Sequence, residues 1–283
     1  MRSKRNIYTF ILVTCSVAAT YFVTSSTAQQ TMAVKQGNAD MQYQAGATLY
    51  MQKAAEYRAL AYQAYNIARW QLDADLDKNN VKKLPKTEQK KPRAVMVDID
   101  ETTLDNSPSQ AFGITNRVAF NSKDWYAWTS MRKAKAIPGA VDFVNYANSK
   151  GVKVFFVSNR DDKVERQATL DNLKSVGFTD VSTDNLLLQT KESSKEARKQ
   201  LILQKYRIVF SIGDNLDDHS SVFEHKSVAE RFAETDKVKD LFGKQYIMLP
   251  NAMYGTWERA IYDYARLSDS EKAEKRAAAL ELP

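Results

Sequence analysis

The chain has 283 residues, of which 43% are hydrophobic and 11% are aromatic, and it carries a formal net charge of +7. This length suits one large domain or a domain with a modest appendage, and the apolar content is too high for a chain that is disordered throughout. The basic residues form no clustered stripe along the sequence, which argues against a nucleic-acid polymer as the partner.

The first 28 residues have the pattern of an export signal. Three basic residues precede a mainly apolar run at 7–23, and small residues at 26–28 suit signal cleavage. We therefore predict a signal peptide over residues 1–28. A retained membrane anchor is the alternative, because the apolar run is nearly long enough to span a bilayer.

A second processing site lies within the same segment. Leu12-Val13-Thr14-Cys15 resembles a bacterial lipoprotein box, in which the signal ends at Thr14 and Cys15 carries the lipid. Either route predicts an exported protein, which is an outer-membrane lipoprotein attached through Cys15 or a periplasmic or secreted protein. Cys15 is the only cysteine in the chain, so no intrachain disulfide can form.

Two regions are expected before the main domain. Residues 29–40 are polar and without periodicity, and we interpret them as a tether. Residues 41–92 form a helical segment, because apolar residues between 41 and 72 fall near one helical face before a charged, proline-containing stretch breaks the pattern. The main domain is then expected to cover 93–283.

From residue 93 onwards, short apolar runs alternate with amphipathic segments. We predict strands at 94–97, 152–157, 186–188, 208–212 and 247–249. We predict helices at 140–149, 163–176, 193–205 and 256–280. Continuous apolar strands separated by helices indicate an α/β fold with a Rossmann-like parallel sheet flanked by helices. A small, mainly helical cap is expected from the N-terminal helical segment and residues near 106–136.

Polar residues follow four of the predicted strands, at the edge where ligands bind in such sheets. These residues are Asp98 and Asp100, then Ser158 and Asn159, then Lys191, then Asp214. All are suited to holding a phosphate group or a cation. Their convergence at one sheet edge predicts a phosphate site.

Asp98 and Asp100 stand one residue apart where the first strand ends. One carboxylate can attack phosphorus and form an aspartyl-phosphate, while the other gives a proton to the leaving oxygen and later takes one from water. We assign Asp98 as the nucleophile and Asp100 as the acid/base. An isolated pair of aspartates more commonly caps a helix or fills a turn, but the apolar strand before this pair favours catalysis.

A second acidic run, Gly213-Asp214-Asn215-Leu216-Asp217-Asp218, follows another strand. Carboxylates that meet without a histidine partner favour Mg²⁺ over zinc, with Asp214 as a ligand and Asp218 in support of the loop. Ser158 and Lys191 are expected to bind the phosphate, with Asn159 and Arg160 as lesser candidates. The only cysteine lies in the signal and the chain has two histidines, which disfavours cysteine, histidine and zinc phosphatases.

The quoted motifs resemble a known family. Asp98-Ile99-Asp100-Glu101-Thr102, Ser158, Lys191 and the run at 213–218 resemble the four motifs of the haloacid-dehalogenase-like superfamily. Their particular version is similar to the bacterial class C acid phosphatases, above all the outer-membrane lipoprotein acid phosphatase and 5′-nucleotidase group. Further matches lie at 120–125, 137–140 and 249–255, so that the likeness spans roughly residues 40 to 270.

The resemblance implies an Mg²⁺-dependent acid phosphatase acting on nucleoside 5′-monophosphates, including nicotinamide mononucleotide. It implies Asp98, Asp214 and Asp218 at the metal, together with the backbone carbonyl of Asp100. It also implies aromatic rings that hold the base, for which the candidates are Trp125, Trp128, Tyr246 and Tyr254. The chain departs from the family at Ser109, where a tyrosine is usual, and at His219, where a phenylalanine is usual. The first departure leaves the nucleotide preference open.

Two other functions stay open at this point. One is phosphotransfer to an alcohol acceptor in place of water, and the other is a non-catalytic, surface-displayed binding protein on the same scaffold. The presence of both Asp98 and Asp100 favours an enzyme over the second of these. The expected partner is a small phosphomonoester or nucleotide, and the sequence leaves a homodimer open.

Overall fold

The computed structural model of the chain describes Gly37 and residues 39–283. The predicted signal peptide at 1–28, with Cys15, and most of the tether at 29–40 lie outside the described residues. None of the described helices has both the length and the apolar composition needed to span a bilayer.

The strands form a parallel sheet and a short antiparallel pair. In chain order they are β1 Arg93–Val97, β2 Leu104–Asp105, β3 Lys135–Ala136, β4 Lys153–Asp161, β5 Leu186–Gln189, β6 Arg207–Gly213 and β7 Tyr246–Met248. The parallel sheet has the order β5-β4-β1-β6-β7, and β2 pairs with β3. Because β1 is central, the carboxyl ends of β4 and β6 lie on either side of its own. The predicted α/β fold with a parallel sheet flanked by helices is confirmed.

Helices connect and cover these strands. In chain order they are α1 Ala45–Lys53, α2 Ala55–Leu76, α3 Lys78–Val81, α4 Lys86–Lys90, α5 Ser107–Asn116, α6 Ser122–Ser130, α7 Ala140–Ser149, α8 Asp162–Ser175, α9 Glu196–Lys205, α10 Val228–Lys237, α11 Thr256–Ile261 and α12 Asp269–Ala278. Helices α5 and α6 lie within the region predicted to contribute to the cap.

Two predicted helices are each broken once. The helix expected over 41–72 is interrupted at Ala54, whose ψ of 128° is extended, and the second part continues to Leu76. The helix expected over 256–280 is wrong as a single element. Asp263 and Tyr264 adopt left-handed φ values of 52° and 58°, and Ser268 then caps α12 by accepting the backbone N–H of Glu271.

The central strand is buried on both faces. Successive side chains of a strand point to opposite faces, so Val95 and Val97 of β1 enter one apolar cluster while Ala94 and Met96 enter another. The larger cluster includes residues of α2, α7 and α8, and the smaller one includes Ile202 of α9. This double burial explains why residues 94–97 of β1 are an uninterrupted apolar run in the sequence.

Helix α2 is fixed against the sheet at both of the sheet's edges. At the amino edge, Asp75 accepts hydrogen bonds from Arg93 at 2.6 Å and from Arg207 at 2.7 and 2.8 Å. Towards the carboxyl edge, the Tyr65 hydroxyl donates to the backbone carbonyl of Thr102 at 2.7 Å. The N-terminal helical segment therefore supports the turn that follows β1.

Candidate active site

The segment after β1 closes into a tight turn at the carboxyl edge of the sheet. The N–H of Asp98 still donates to Ile212 of β6 at 2.9 Å, as a strand residue does. The N–H groups of Thr103 and Leu104 then both donate to the carbonyl of Ile99, at 2.9 and 2.8 Å. Asp98 is only 7% exposed. The turn thus presents both aspartates of the D-x-D motif at the end of the central strand.

Three aspartates converge beside this turn. One carboxylate oxygen from each of Asp98, Asp214 and Asp218 lies within 4.8 Å of the others. Asp214 is held by hydrogen bonds from the Thr102 hydroxyl at 3.0 Å and from the Asn251 side-chain amide at 2.9 Å. The structure therefore brings together three of the residues predicted to bind a metal.

The electrostatics of this cluster suit a divalent cation. Burial and the neighbouring charge of Asp218 raise the pKa of Asp214 to about 7. Burial also raises the pKa of Asp98 well above its usual range, against the opposing effect of Lys195. Buried carboxylates that repel one another in this way are stabilised by a bound cation, and an all-oxygen donor set is the kind that hard divalent ions prefer.

The lysine at this cluster is Lys195, and not the predicted Lys191. The Lys195 ammonium group is buried, contacts Asp98 and lies 2.7 Å from Oδ1 of Asp218. Burial lowers its pKa, but the charges of Asp218 and Asp98 outweigh that effect and hold the pKa above its ordinary value. Lys191 is exposed and lies two residues after β5, whereas Lys195 immediately precedes α9 and turns inward. The assignment of Lys191 is therefore corrected to Lys195.

Ser158 is fully buried within β4, three residues before the strand ends, and its hydroxyl donates to Oδ2 of Asp100 at 3.1 Å. The next residue, Asn159, is exposed, and its side-chain oxygen accepts a hydrogen bond from Arg198. Arg198 also donates to the carbonyl of Ser158 and to that of Ser194, just before Lys195. Sequence reasoning missed Arg198. Its hydrogen bonds connect β4 to the loop that carries Lys195.

Asp100 is not part of the carboxylate cluster and is bound instead by residues of β4 and by Asn106. Its Oδ1 accepts two hydrogen bonds from the buried guanidinium of Arg160, at 2.9 and 2.7 Å, and a third from Asn106 at 2.8 Å. Arg160 was a lesser candidate for phosphate binding. In the structure it binds instead the carboxylate of Asp100, the predicted acid/base.

The four aromatic candidates fall into two groups. Trp128 is 7% exposed with its indole N–H bound to Asn106, and the Tyr246 ring packs at 5.0 Å from His219. Trp128 is thus engaged in packing, which contradicts its assignment to the substrate pocket. Tyr246 is only partly buried, and its assignment stays a prediction. Trp125 is partly buried beside Arg160, and Tyr254 lies in the loop after β7.

His219, which stands where the family usually has phenylalanine, is a buried packing residue. Its Nδ1 lies 2.7 Å from the Ser211 hydroxyl and its Nε2 lies 2.9 Å from the Met248 sulfur. Burial lowers the pKa of His219 to about 4. The ring is therefore neutral at mildly acidic pH.

Comparisons with known proteins agree with this geometry. The family model of the HAD superfamily, subfamily IIIB (acid phosphatase), matches residues 13–257. Two solved structures of the class C acid phosphatase from Bacillus anthracis, one with tungstate bound, align with a TM-score of 0.79 and 39% identity. Each alignment covers 86% of this chain and 98% of that chain.

Two curated relatives come from Glycine max, the stem 28 kDa and stem 31 kDa glycoproteins. Both are 32% identical over an alignment of 135 residues, and each alignment covers 42% of this chain. The alignments cover 50% and 43% of these relatives, so the chain spans about half their length or less. The resemblance to class C enzymes of the haloacid-dehalogenase-like superfamily is nevertheless confirmed by the family model and the solved structures. The chain belongs to the HAD superfamily, subfamily IIIB, and so to the acid phosphatases, which hydrolyse phosphomonoesters.

Proposed function

We propose that the protein is an Mg²⁺-dependent phosphatase that cleaves nucleoside 5′-monophosphates, including nicotinamide mononucleotide, through a phosphorylated Asp98. The observation that carries the proposal is the position of Asp98. Its carboxylate is one of three that lie within 4.8 Å of one another, and it also contacts a buried lysine. A nucleophile for an anionic ester needs such a positive partner, because two anions otherwise repel.

The two steps of the reaction follow from the residues around Asp98. In the first, a carboxylate oxygen of Asp98 bonds to phosphorus, the ester P–O bond breaks, and Asp100 gives a proton to the departing oxygen. In the second, water attacks phosphorus, Asp100 takes its proton, and Asp98 is released with inorganic phosphate. Lys195 faces the phosphoryl group in both steps and stabilises its negative charge. A bound divalent cation would neutralise charge between the phosphate and the aspartates.

The relative with tungstate bound supports an oxyanion site on this fold. Tungstate is a tetrahedral oxyanion, as phosphate is, and the Bacillus anthracis enzyme shares 39% of its aligned residues with this chain. We therefore place the phosphate between Asp98, Lys195 and Ser158.

A cavity next to this position supports a substrate with a large organic group. It has a volume of about 260 Å³ and is lined by Tyr50, Met51, Tyr57 and residues 250–253. Asn251 in its wall donates to the Asp214 carboxylate, so the cavity adjoins the carboxylate cluster. Stacking of a base on such rings is worth about 1–3 kcal/mol. Tyr254, which follows the cavity wall in sequence, remains a candidate ring.

A second group of aromatic side chains lies near Ser109. Ser109 lines a smaller cavity of about 40 Å³ with Phe120 and Trp125. Phe120 is 77% exposed, and its ring centroid lies 6.1 Å from that of Trp125. Ser109 stands where the family usually has a tyrosine. The exposed ring of Phe120 beside it can contact the base of the substrate in place of that tyrosine.

The cellular location rests on the sequence alone. We propose that the protein acts outside the cytoplasm, because residues 1–28 have the charge and apolar pattern of an export signal.

The test is a substrate and metal panel. AMP, nicotinamide mononucleotide, glycerol 2-phosphate and p-nitrophenyl phosphate are assayed from pH 4 to 8 after metal removal and after addition of Mg²⁺ or Ca²⁺. We expect Mg²⁺ to restore hydrolysis and the two nucleotides to have the highest kcat/KM. Full activity in excess chelator, or a preference for glycerol 2-phosphate, would contradict the proposal.

A matched pair of variants tests the nucleophile. Asp98→Asn should abolish turnover without changing the circular dichroism spectrum, because the amide cannot form the phosphoenzyme. Asp184→Asn, an equivalent change at an exposed position, should be fully active. Near-wild-type turnover of Asp98→Asn would refute the mechanism.

A further inference from the structure

The acid/base carboxylate is connected by hydrogen bonds to a helix that carries candidate substrate residues. Asp100 accepts from Asn106, and the Asn106 side-chain oxygen accepts from the indole N–H of Trp128 on α6, each at 2.8 Å. Both Asn106 and Trp128 are almost fully buried. The hydrogen bonds of both side chains go to partners outside the three-aspartate cluster.

The orientation of the Asn106 amide is fixed by its neighbours. An indole N–H and a guanidinium can only donate, and both Trp128 and Arg160 approach the amide oxygen, at 2.8 and 3.4 Å. The amide nitrogen faces two acceptors, the Asp100 carboxylate and the carbonyl of Leu104. A flipped amide would bring donors against donors, so this orientation is the one that presents an N–H to Asp100.

The backbone of Asn106 adds a second anchor. Its N–H donates to the buried carboxylate of Glu101 at 2.7 Å, within the same turn as Asp100. Asn106 precedes α5 without capping it through its side chain. The Asn106 side chain therefore connects α6 to Asp100 and does not cap α5.

Helix α6 also carries Trp125, which lies against the same arginine that binds Asp100. The Arg160 guanidinium lies 5.6 Å from the centroid of the Trp125 ring and donates two hydrogen bonds to Asp100. Two sets of contacts therefore connect α6 to the carboxylate of Asp100, one through Asn106 and one through Arg160.

We propose that Trp128 and Asn106 are positioning residues that hold the carboxyl group of Asp100 where it can protonate the leaving oxygen. The inference rests on the proposed role of Asp100 as the acid/base. Trp128 acts through Asn106 and contacts no reacting atom. Loss of its N–H leaves the amide oxygen with only the 3.4 Å contact to Arg160, so that Asn106 no longer has a fixed orientation towards Asp100.

The dependence of rate on the leaving group separates this role from a purely structural one. p-Nitrophenolate departs without a proton, whereas the alkoxide from glycerol 2-phosphate needs one, so a misplaced acid slows mainly the second substrate. The value of kcat/KM reports the steps up to departure of the first product. A general loss of fold would lower kcat/KM for both substrates by the same factor.

The experiment compares Trp128→Phe and Asn106→Ala with the wild type on both substrates in the presence of Mg²⁺. We expect kcat/KM for glycerol 2-phosphate to fall at least about tenfold, since general acid catalysis contributes about 10²–10⁴-fold, while p-nitrophenyl phosphate changes by less than about threefold. The control is Trp70→Phe, the same substitution at a ring that is 65% exposed on α2. It should behave as the wild type.

The outcomes separate the two proposals. The positioning role would be overturned if the wild type and the Trp70→Phe control cleave both substrates but the two variants do not discriminate between them. In that case Trp128→Phe and Asn106→Ala lose kcat/KM for both substrates by the same factor, or for neither. A wild type that cleaves neither substrate would instead refute the proposed function. Thermal unfolding of each variant shows whether it folds. If Trp128→Phe does not fold, Asn106→Ala tests the same link between α6 and Asp100 without a change in the apolar core.

Discussion

Replacing Lys195 with methionine removes the ammonium group that lies between two buried aspartates while keeping most of the side-chain volume. In the structure this group contacts Asp98 and lies 2.7 Å from Asp218. The same group faces the phosphoryl charge in the proposed mechanism. The substitution therefore tests the lysine that the structure identifies, against the lysine that the sequence predicted.

The size of the effect follows from the electrostatics of a buried pair. Two unit charges about 4 Å apart interact by about 4 kcal/mol at an effective dielectric constant near 20. Removal of one donor that stabilises transition-state charge costs about 10²–10³-fold in kcat, or about 3–4 kcal/mol, in comparable sites. We expect kcat of Lys195→Met to fall by about that factor. The methionine also leaves two buried carboxylates unpaired, so we expect a lower Tm in chelator and a partial recovery in Mg²⁺.

The assay measures kcat and KM with p-nitrophenyl phosphate, and Tm by circular dichroism with and without Mg²⁺. Lys191→Met is the matched control, because Lys191 is exposed and lies four residues earlier. It should keep wild-type kcat and Tm. The reasoning is refuted if Lys191→Met loses more than tenfold in kcat while Lys195→Met stays within threefold.

Two further predictions concern the acidic loop after β6, which carries Asp214 and Asp218, and the amino edge of the sheet. A Cβ at Gly213 would lie 2.5 Å from the Cβ of Asp218, so Gly213→Ala should raise the Mg²⁺ concentration for half-maximal activity about 10–100-fold. The control is Gly46→Ala, where the added Cβ meets no neighbouring atom within 4 Å. It should leave the Mg²⁺ concentration for half-maximal activity unchanged. At the amino edge, Asp75→Asn should lower the free energy of unfolding by about 2–4 kcal/mol at neutral pH in urea titrations. Burial raises the pKa of Asp75, but hydrogen bonds from Arg207 and Arg93 outweigh it and lower the pKa. Its contribution is therefore present above the unfolded-state pKa of about 4 and is lost as the pH falls through the folded-state value, so the two proteins should converge in acid.

The five strands of the parallel sheet could be predicted because each contains an apolar run of its own, whereas the short strands β2 and β3 contain no such run. Burial of β1 on both faces leaves no polar residue between Ala94 and Val97, and the first polar residue after that run is Asp98. The rule that ligands bind at the carboxyl ends of strands then identified Asp98, Ser158 and Asp214 without knowledge of the strand order.

Lys195 was missed because the same rule favours the first suitable residue after a strand. Lys191 is nearer to β5, but it lies in an exposed stretch, and the chain turns inward only where α9 begins. The available signal was the pair Ser193-Ser194 before an amphipathic segment, which is typical of a helix start. A lysine at that point is held by the helix and can be directed into the site.

Other contacts had no sequence pattern that could reveal them. Asn106 and Trp128 are separated by 22 residues, and the partners Asp100 and Arg160 by 60. These pairs meet only because β1 and β4 are neighbours and α6 packs near the end of β4. The breaks at Ala54 and at Asp263 are likewise backbone conformations of ordinary residues, since neither position carries a glycine or a proline.

The central position of β1 gives two aspartates one residue apart different surroundings, as their proposed roles require. The metal-site partners of Asp98, Asp214 and Asp218, come from the loop after β6 on one side. Ser158 and Arg160, which bind Asp100, come from β4 on the other side. One carboxylate therefore lies among other carboxylates and a lysine, and the second lies among neutral donors and an arginine. Different surroundings for two like groups are what separate a nucleophile from an acid/base. An edge strand, with a neighbour on one side only, could not provide both.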